Sequence, residues 1–475
     1  MKTAAAAMKT AATPAARWAL LGALLLWIAV SLAPDPRAGI VSSAASPREF
    51  SAERALVHVS AIAQAPHPIL SAEHARVRDY VEDQFRRLGV EPAIQTGTGE
   101  YSRGSFHLSG HVENIVARLP GGANTRSVML AAHYDSTPRG PGASDDAHGV
   151  AVLLETLRAL RSGPPLRNDV IFLVTDGEER GLLGADVFMR EHPWRQEPGV
   201  VLNFEARGTS GPSYMFETSA GNAWLIDALR SAVPRANAPS VSYEIYKRMP
   251  NDTDFTVFKH HGLQGMNFAF IGHPEFYHRP QDDVAHLDRR SLQEDGNYAL
   301  ALTRIFGNQD LRERRSDNAV YFPTLLTPLI VYPESWAKPL AWILMFALAI
   351  ATALGRRRRG RWIAIVLAPL AALDIWLAGA APGASYLLEW PLAASVIAFA
   401  ILLTAPARLA IGWRIAVLAV LPAAVLLLLM PFALSIVVAL GPRGVPVVAA
   451  TVLVMLAFLA PQIVLVCRPN TAESS

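Results

Sequence analysis

The sequence predicts an α/β fold with a mostly parallel twisted sheet sandwiched by helices, followed by an all-α multi-pass membrane domain. Three observations predict it. Between Glu113 and Ile271, short apolar runs alternate with amphipathic helical patterns, the order expected of strands joined by helical crossovers. The run Val170 to Val174 is apolar at every position, as in a strand covered on both faces. Beyond about Tyr321 the chain turns to Ala, Leu, Val and Ile, in stretches long enough to cross a bilayer.

At 475 residues the chain should hold more than one unit. The pattern divides it into a basic N-terminal segment 1–17, an apolar anchor 18–33, a linker 34–49, a globular domain 50–318, a second linker 319–336, about five membrane helices within 337–467, and a tail 468–475. The net charge of +3 gives no electrostatic support for nucleic-acid binding. The single cysteine, Cys467, excludes internal disulfides and thiolate zinc sites.

The elements follow in order. Ser51 caps a first helix, and Ser71 caps a second that runs to Leu88 and is closed by Gly89. Gly97 to Gly110 reads as a polar loop. Glu113 to Leu119 and Ser127 to Ala132 read as strands, the second delivering His133-Tyr134-Asp135. A Gly/Pro loop leads to a helix over Ala147 to Leu160, with Val150, Leu153, Leu154 and Leu157 on one face. The Val170 strand ends at Asp176-Gly177-Glu178-Glu179, and a helix over about Leu182 to His192 follows. Val200 to Glu205 is a further buried strand. Tyr214 to Glu217 and Val241 to Ile245 read as strands around a helix at Asn222 to Ala232. Asp254 to His260 is a short helix, Gly265 to Ile271 a strand, and Ser291 to Phe306 the last globular helix.

Apolar stretches then occupy about Ala337–Leu354, Trp362–Ala380, Tyr386–Thr404, Trp413–Leu440 and Val445–Val466, after a first at Trp18–Ala33 that reads as a retained anchor, with a cleaved signal peptide the alternative. The cluster Arg356 to Arg361, with Arg408 and Arg414 further on, marks cytoplasmic loops. With a basic N-terminus inside, parity puts the globular domain outside the cytoplasm. Asp374 and Glu389 fall in or near apolar spans; Glu389 is expected at the membrane interface. The Ala/Arg-rich composition suggests a bacterial inner membrane with a periplasmic domain. The alternative is an endoplasmic-reticulum or vacuolar membrane with a lumenal domain.

Ligands bind at the carboxyl ends of strands in open α/β sheets. There the sequence places His133, Asp145, the Glu178-Glu179 pair and Glu205, with His278 in a later loop. Adjacent carboxylates repel unless cations sit beside them. Two His with three carboxylates suit a pair of zinc ions, one carboxylate bridging, with a further carboxylate to accept a proton from the water the metals activate. Asp135 is spaced to hold the other ring nitrogen of His133. The remaining His read as surface or core residues, with His273 a decoy; His148 lines the site or faces solvent. No His-Glu-x-x-His and no Gly-x-Ser-x-Gly occurs.

His133-Tyr134-Asp135-Ser136, Gly140 to Asp146, Asp176-Gly177-Glu178-Glu179, Asn203 to Gly208, Asn251 to Phe255 and Tyr277-His278 together resemble the co-catalytic di-zinc aminopeptidases (aminopeptidase Y-like peptidases). The likeness is greatest to the membrane-bound branch with the endoplasmic-reticulum metallopeptidase and the fungal vacuolar membrane protease. It covers roughly Phe50 to Phe306. The resemblance implies a zinc-exopeptidase-like fold and two Zn2+ per chain. It implies His133 and Glu205 on one zinc, Asp145 bridging, and Glu179 and His278 completing the shells. Glu178 would be the general base, Asp135 an orienting acid and Tyr277 a group that steadies the substrate carbonyl. Asp146, His148 and Arg279 depart from the usual family residues. The expected activity is removal of N-terminal residues from peptides outside the cytoplasm. Peptides and the lipid bilayer are the expected partners, with no nucleic acid. A glutaminyl cyclase-like acyltransferase and an inactive receptor- or scaffold-like relative are the alternatives.

Overall fold

The computed structural model describes residues 39–404 apart from 313–315, 325–327 and 355–357. The apolar segment 18–33, the spans expected at 413–440 and 445–466, Arg408, Arg414 and Cys467 lie outside the described residues, as does part of the Arg356–Arg361 cluster.

Two N-terminal helices open the domain: α1 (Ala52–Ile62) and α2 (Ala72–Arg87). Ser51 and Ser71 cap them as expected, their hydroxyls accepting from the backbone N–H of Arg54 and His74. Then come β1 (Ala93–Arg103), β2 (Phe106–Leu119), β3 (Ser127–His133), α3 (His148–Arg161), β4 (Val170–Thr175), α4 (Leu183–Glu191), β5 (Pro198–Ala206) and β6 (Ser210–Thr218). After these lie α5 (Ala223–Ala232), α6 (Ser240–Tyr246), α7 (Asp254–His260), β7 (Gly265–Gly272) and α8 (Arg289–Phe306). The seven strands form one sheet in the order β1-β2-β4-β3-β5-β7-β6.

The sheet is mixed rather than mostly parallel. Its centre, β4-β3-β5-β7, is parallel; β1, β2 and β6 run antiparallel at the flanks. Both faces are covered, which is why the central strands read as unbroken apolar runs. Along β3, Val128, Leu130 and Ala132 pack toward α1, α2, α3, α5 and α8, while Met129 and Ala131 pack toward α4 and α7. This period-two division holds a three-layer core.

Three local expectations are corrected. Residues 97–110, expected as a loop, are the paired halves of the β1–β2 hairpin. Gly99 is there for close approach, not for a turn: a Cβ on it would lie 2.4 Å from the Leu183 carbonyl oxygen at the start of α4. Residues 241–245, expected as a strand, form α6. Its buried residues Ser240, Val241 and Glu244 recur at helical spacing, and the Ser240 hydroxyl donates to the Gly383 carbonyl at 2.6 Å. The second linker holds a two-stranded ladder, β8 (Ala319–Phe322) with β9 (Ile330–Pro333).

Three apolar helices follow: α9 (Ala337–Leu354), α10 (Arg358–Ala380) and α11 (Pro382–Thr404). Over the described side chains, no helix is long and apolar enough to cross a membrane. These helices nevertheless leave Trp342, Ile343, Phe346, Ile350, Trp376 and Ile397 exposed. Glu389 is buried and accepts a hydrogen bond from the Tyr332 hydroxyl at 2.6 Å, tying α11 to β9.

Candidate metal centre

The carboxyl ends of β3, β4 and β5 converge on one cluster. His133 is the last residue of β3. Its ring Nε2 lies 3.1 Å from Asp145 Oδ1 and 3.6 Å from Glu205 Oε2, at the end of β5. The other Asp145 oxygen, Oδ2, lies 3.0 Å from His278 Nε2, which is also 3.1 Å from Glu179 Oε2. Two groups of three donors result, His133–Asp145–Glu205 and Asp145–Glu179–His278, and they share Asp145. One carboxylate turning one oxygen to each group is the arrangement a bridging ligand requires.

The turns that aim these residues are held by further polar groups. Asp145 lies in a five-residue turn, Ala143–Ala147, entered through Gly142 at φ +65°. Asp282 anchors that turn, its carboxylate accepting from the N–H of Ser144 at 2.7 Å and of Asp145 at 3.2 Å. Asp146 accepts from the His133 N–H at 3.1 Å, coupling the turn to β3. Glu178 and Glu179 do not continue β4. Gly177, at φ +69°, turns the chain into a short 3-10 segment, Glu178–Arg180. The Asp135 carboxylate accepts both the Glu178 N–H (3.0 Å) and the Glu179 N–H (3.3 Å).

Asp135 therefore does more than orient His133. The His133 Nδ1 meets the Asp135 backbone carbonyl at 3.0 Å, with the carboxylate further away at 3.5 Å. Neither donor group contains Glu178, whereas Glu179 belongs to one of them. Tyr277 stacks on the His278 ring, centroids 3.7 Å apart, and the Arg207 guanidinium lies 5.3 Å from the Tyr277 ring centre.

The donor set fits divalent cations by its charge as well as its geometry. Burial pushes Glu205 up to about 8. Burial, compounded by the Asp145 carboxylate, pushes Glu179 up to about 7. Burial raises Glu178 well above the usual carboxylate range, and Glu205, Asp254 and Glu179 add to the effect. So many carboxylates in one buried site are stable as anions only with cations among them. Glu179 Oε1 is buried with no hydrogen-bond partner, as an oxygen kept for a metal would be. Two imidazoles with carboxylates form the nitrogen and oxygen set that zinc takes.

Several supporting residues escaped sequence reasoning. Asp282 stands four residues after His278 in a polar loop, and only contact with the Asp145 turn gives it a role. His74, grouped with the unremarkable His, has an acidic partner: its Nε2 lies 2.7 Å from Asp176 Oδ1, and its ring stacks on Tyr134. His148 neither lines the metal groups nor faces solvent. It is fully buried between Asp146 (3.1 Å) and Asp295 (3.2 Å). His273 is exposed beside Glu275, apart from both donor groups. Asp254 opens α7 and accepts from the Thr175 hydroxyl at the end of β4.

The class defined is a three-layer α/β domain with two candidate metal-donor triads that share one carboxylate, gathered at the carboxyl ends of the parallel strands and the loops beside them. Residues 114–303 match Peptidase family M28, so the chain carries a peptidase M28 domain, a hydrolase domain. It is similar to "Endoplasmic reticulum metallopeptidase 1" of Rattus norvegicus, 30% identical over 334 residues that cover 65% of this chain and 37% of that protein. It is also similar to "Vacuolar membrane protease" of Candida glabrata, 28% identical over 298 residues covering 58% of this chain and 31% of that protein. The chain thus spans about a third of the length of these curated relatives. Similar solved structures include BSAP, a zinc aminopeptidase from Bacillus subtilis (16% identity, 56% of this chain and 98% of that chain, TM-score 0.44). Another is an Acidobacteriales bacterium glutaminyl cyclase (20% identity, 57% and 99%, TM-score 0.43). The two named relatives are proteins of eukaryotic internal membranes, so the bacterial inner membrane expected from composition draws no support from them.

Proposed function

We propose that this chain is a membrane-anchored exopeptidase that uses two zinc ions to remove N-terminal residues from peptides outside the cytoplasm. The observation that carries the proposal is the pair of donor triads sharing Asp145. His133, Asp145 and Glu205 would hold one ion, and Asp145, Glu179 and His278 the other. The bound ions would supply an activated water and polarise the scissile carbonyl.

The remaining steps fall to the chain's own groups. Glu178 stands beside the triads without belonging to them, which leaves its carboxylate available to take a proton from the attacking water and pass it to the leaving amine. Asp135 fixes the Glu178–Glu179 turn through two backbone N–H groups, so base and ligand keep their separation. Tyr277, stacked on His278, is the candidate to steady the carbonyl oxygen. The exposed Trp, Ile and Phe side chains of α9 to α11 and the names of the curated relatives support the membrane reading.

The test is zinc content and peptide processing by the full-length chain purified in detergent. Two zinc per chain and stepwise shortening of peptides from the N-terminus are expected. Cyclisation of N-terminal Gln without shortening would instead point to an acyltransferase. A metal-free protein that leaves peptides intact would overturn the reading in favour of a binding relative.

A further inference from the structure

Each loop that delivers a metal ligand also delivers an arginine. Arg139 lies on the loop between His133 and Asp145, and Arg180 follows Glu179. Arg207 stands two residues after Glu205, and Arg279 follows His278. Elsewhere in the domain arginines are commonly neutralised: Arg54 and Arg158 close on Glu155, Arg78 on Glu113, and Arg118 on Glu197. Among the described residues, Arg139, Arg180, Arg207 and Arg279 make no ion pair. Arg139, Arg180 and Arg279 are exposed, and Arg207 is half-buried.

Two contacts join the loops of Arg139, Arg207 and Arg279, and Arg180 directly follows Glu179. Arg207 lies over Tyr277, which stacks on the ligand His278, so a guanidinium–phenol–imidazole series leads outward from the metal centre. The loop of Arg139 presses on the loop of Arg279: a Cβ on Gly140 would lie 2.3 Å from the Arg279 carbonyl oxygen.

The metal ligands are themselves largely carboxylates, so they do not draw anions to the site. Guanidinium groups carried on the ligand loops and making no ion pair would do so, both by steering and by forked hydrogen bonds to a carboxylate. We propose that these arginines form an anion-recognising rim, and that the substrates are peptides carrying a carboxylate on the leaving-group side of the scissile bond. This rests on the exopeptidase reading. An N-terminal exopeptidase has a single residue on the acyl side of the scissile bond, and its terminus is cationic, so a carboxylate within reach is most generally downstream. Its source is either the free C-terminus of a dipeptide or an acidic side chain on the second residue.

The experiment compares Ala-Ala with Ala-Ala-amide, and Ala-Glu-amide with Ala-Gln-amide, on the zinc-loaded full chain in low salt. The first pair tests the C-terminus and the second the side chain. The carboxylate substrate of at least one pair is expected to show a KM lower by roughly five- to tenfold, a gap that salt closes. The triple variant R139Q/R180Q/R279Q and the single variant R207Q should each narrow the gap, whereas R235Q, an exposed arginine away from the ligand loops, should keep it. Binding of the same peptides to zinc-loaded Glu178→Gln, measured by calorimetry, keeps the test independent of turnover. A carboxylate preference in binding that the rim variants abolish supports the rim even if no peptide is cleaved, in which case only the exopeptidase reading fails. Equal KM and equal binding within both pairs overturns the rim and leaves the peptidase reading standing. A preference that survives all four arginine changes overturns it as well.

Discussion

Replacing Glu178 and Glu179 one at a time by Gln separates a base from a ligand. Glu179 Oε2 faces His278 Nε2 at 3.1 Å within a triad, and its Oε1 has no other partner. Glu178 is in neither triad, and the Asp135 carboxylate holds its backbone at 3.0 Å. Gln preserves the size of either side chain. Glu178→Gln removes only the capacity to take a proton, so it should keep both zinc ions and peptide binding. Turnover should fall by the roughly 10²–10⁴-fold ascribed to general-base catalysis, about 3–5 kcal/mol in the barrier. Glu179→Gln replaces one anionic donor of three by a weaker neutral one. Zinc should drop toward one per chain after dialysis, with activity partly restored by excess zinc. The assay is metal content by atomic spectroscopy beside single-substrate kinetics for both variants. Loss of zinc in Glu178→Gln with retention in Glu179→Gln would mean the roles are exchanged. Full zinc and normal turnover in both would refute the reasoning, leaving the pair an acidic turn.

Asp135→Asn leaves one oxygen for two backbone N–H groups and turns an amide toward the other. One buried donor is then unmatched, and zinc affinity or kcat/KM should fall about 10–100-fold with the fold retained; wild-type values in both would remove Asp135 from the site. Burial, opposed only weakly by Glu155, holds the His58 imidazole down to about 4, and it pairs with the Tyr80 hydroxyl at 2.8 Å. The unfolded chain takes up this proton near pH 6.5 and the folded chain does not, so stability is fully present above that pH and falls below it. By pH 5 the loss should be about 2 kcal/mol. The unfolding free energy from urea titration should fall by that much more in wild type than in His58→Gln between pH 7.5 and 5, and equal falls would show His58 to be accessible. A reporter fused after Asn318 should be active only outside the cytoplasm, and activity inside would reverse the proposed orientation.

What the sequence determined by itself is local and periodic. Ser51 and Ser71 announced their helices because a capping hydroxyl acts within three residues. Val170 to Val174 announced a central strand because both of its faces are covered. His133, Asp145, Glu179, Glu205 and His278 were legible as candidate ligands from residue type at strand ends, helped by the family motifs, and the fold brings them into two donor groups. The tertiary structure alone decided that the two Asp145 oxygens face different histidines, because His133 and His278 are brought together from 145 positions apart by no local rule. It also decided the roles of Asp282 and His74, whose partners come from remote loops. Residues 241–245 alternate like a strand, yet they form a helix because Ser240, Val241 and Glu244 find their burial against α11 and the small ladder. Residues 97–110 carry loop-like glycines, yet they pair as a hairpin, and Gly99 stands in it because α4 passes too close for any side chain there. A short-range signal reports what a segment can form; which partner buries it is a contact between distant parts of the chain, and only the fold supplies that contact.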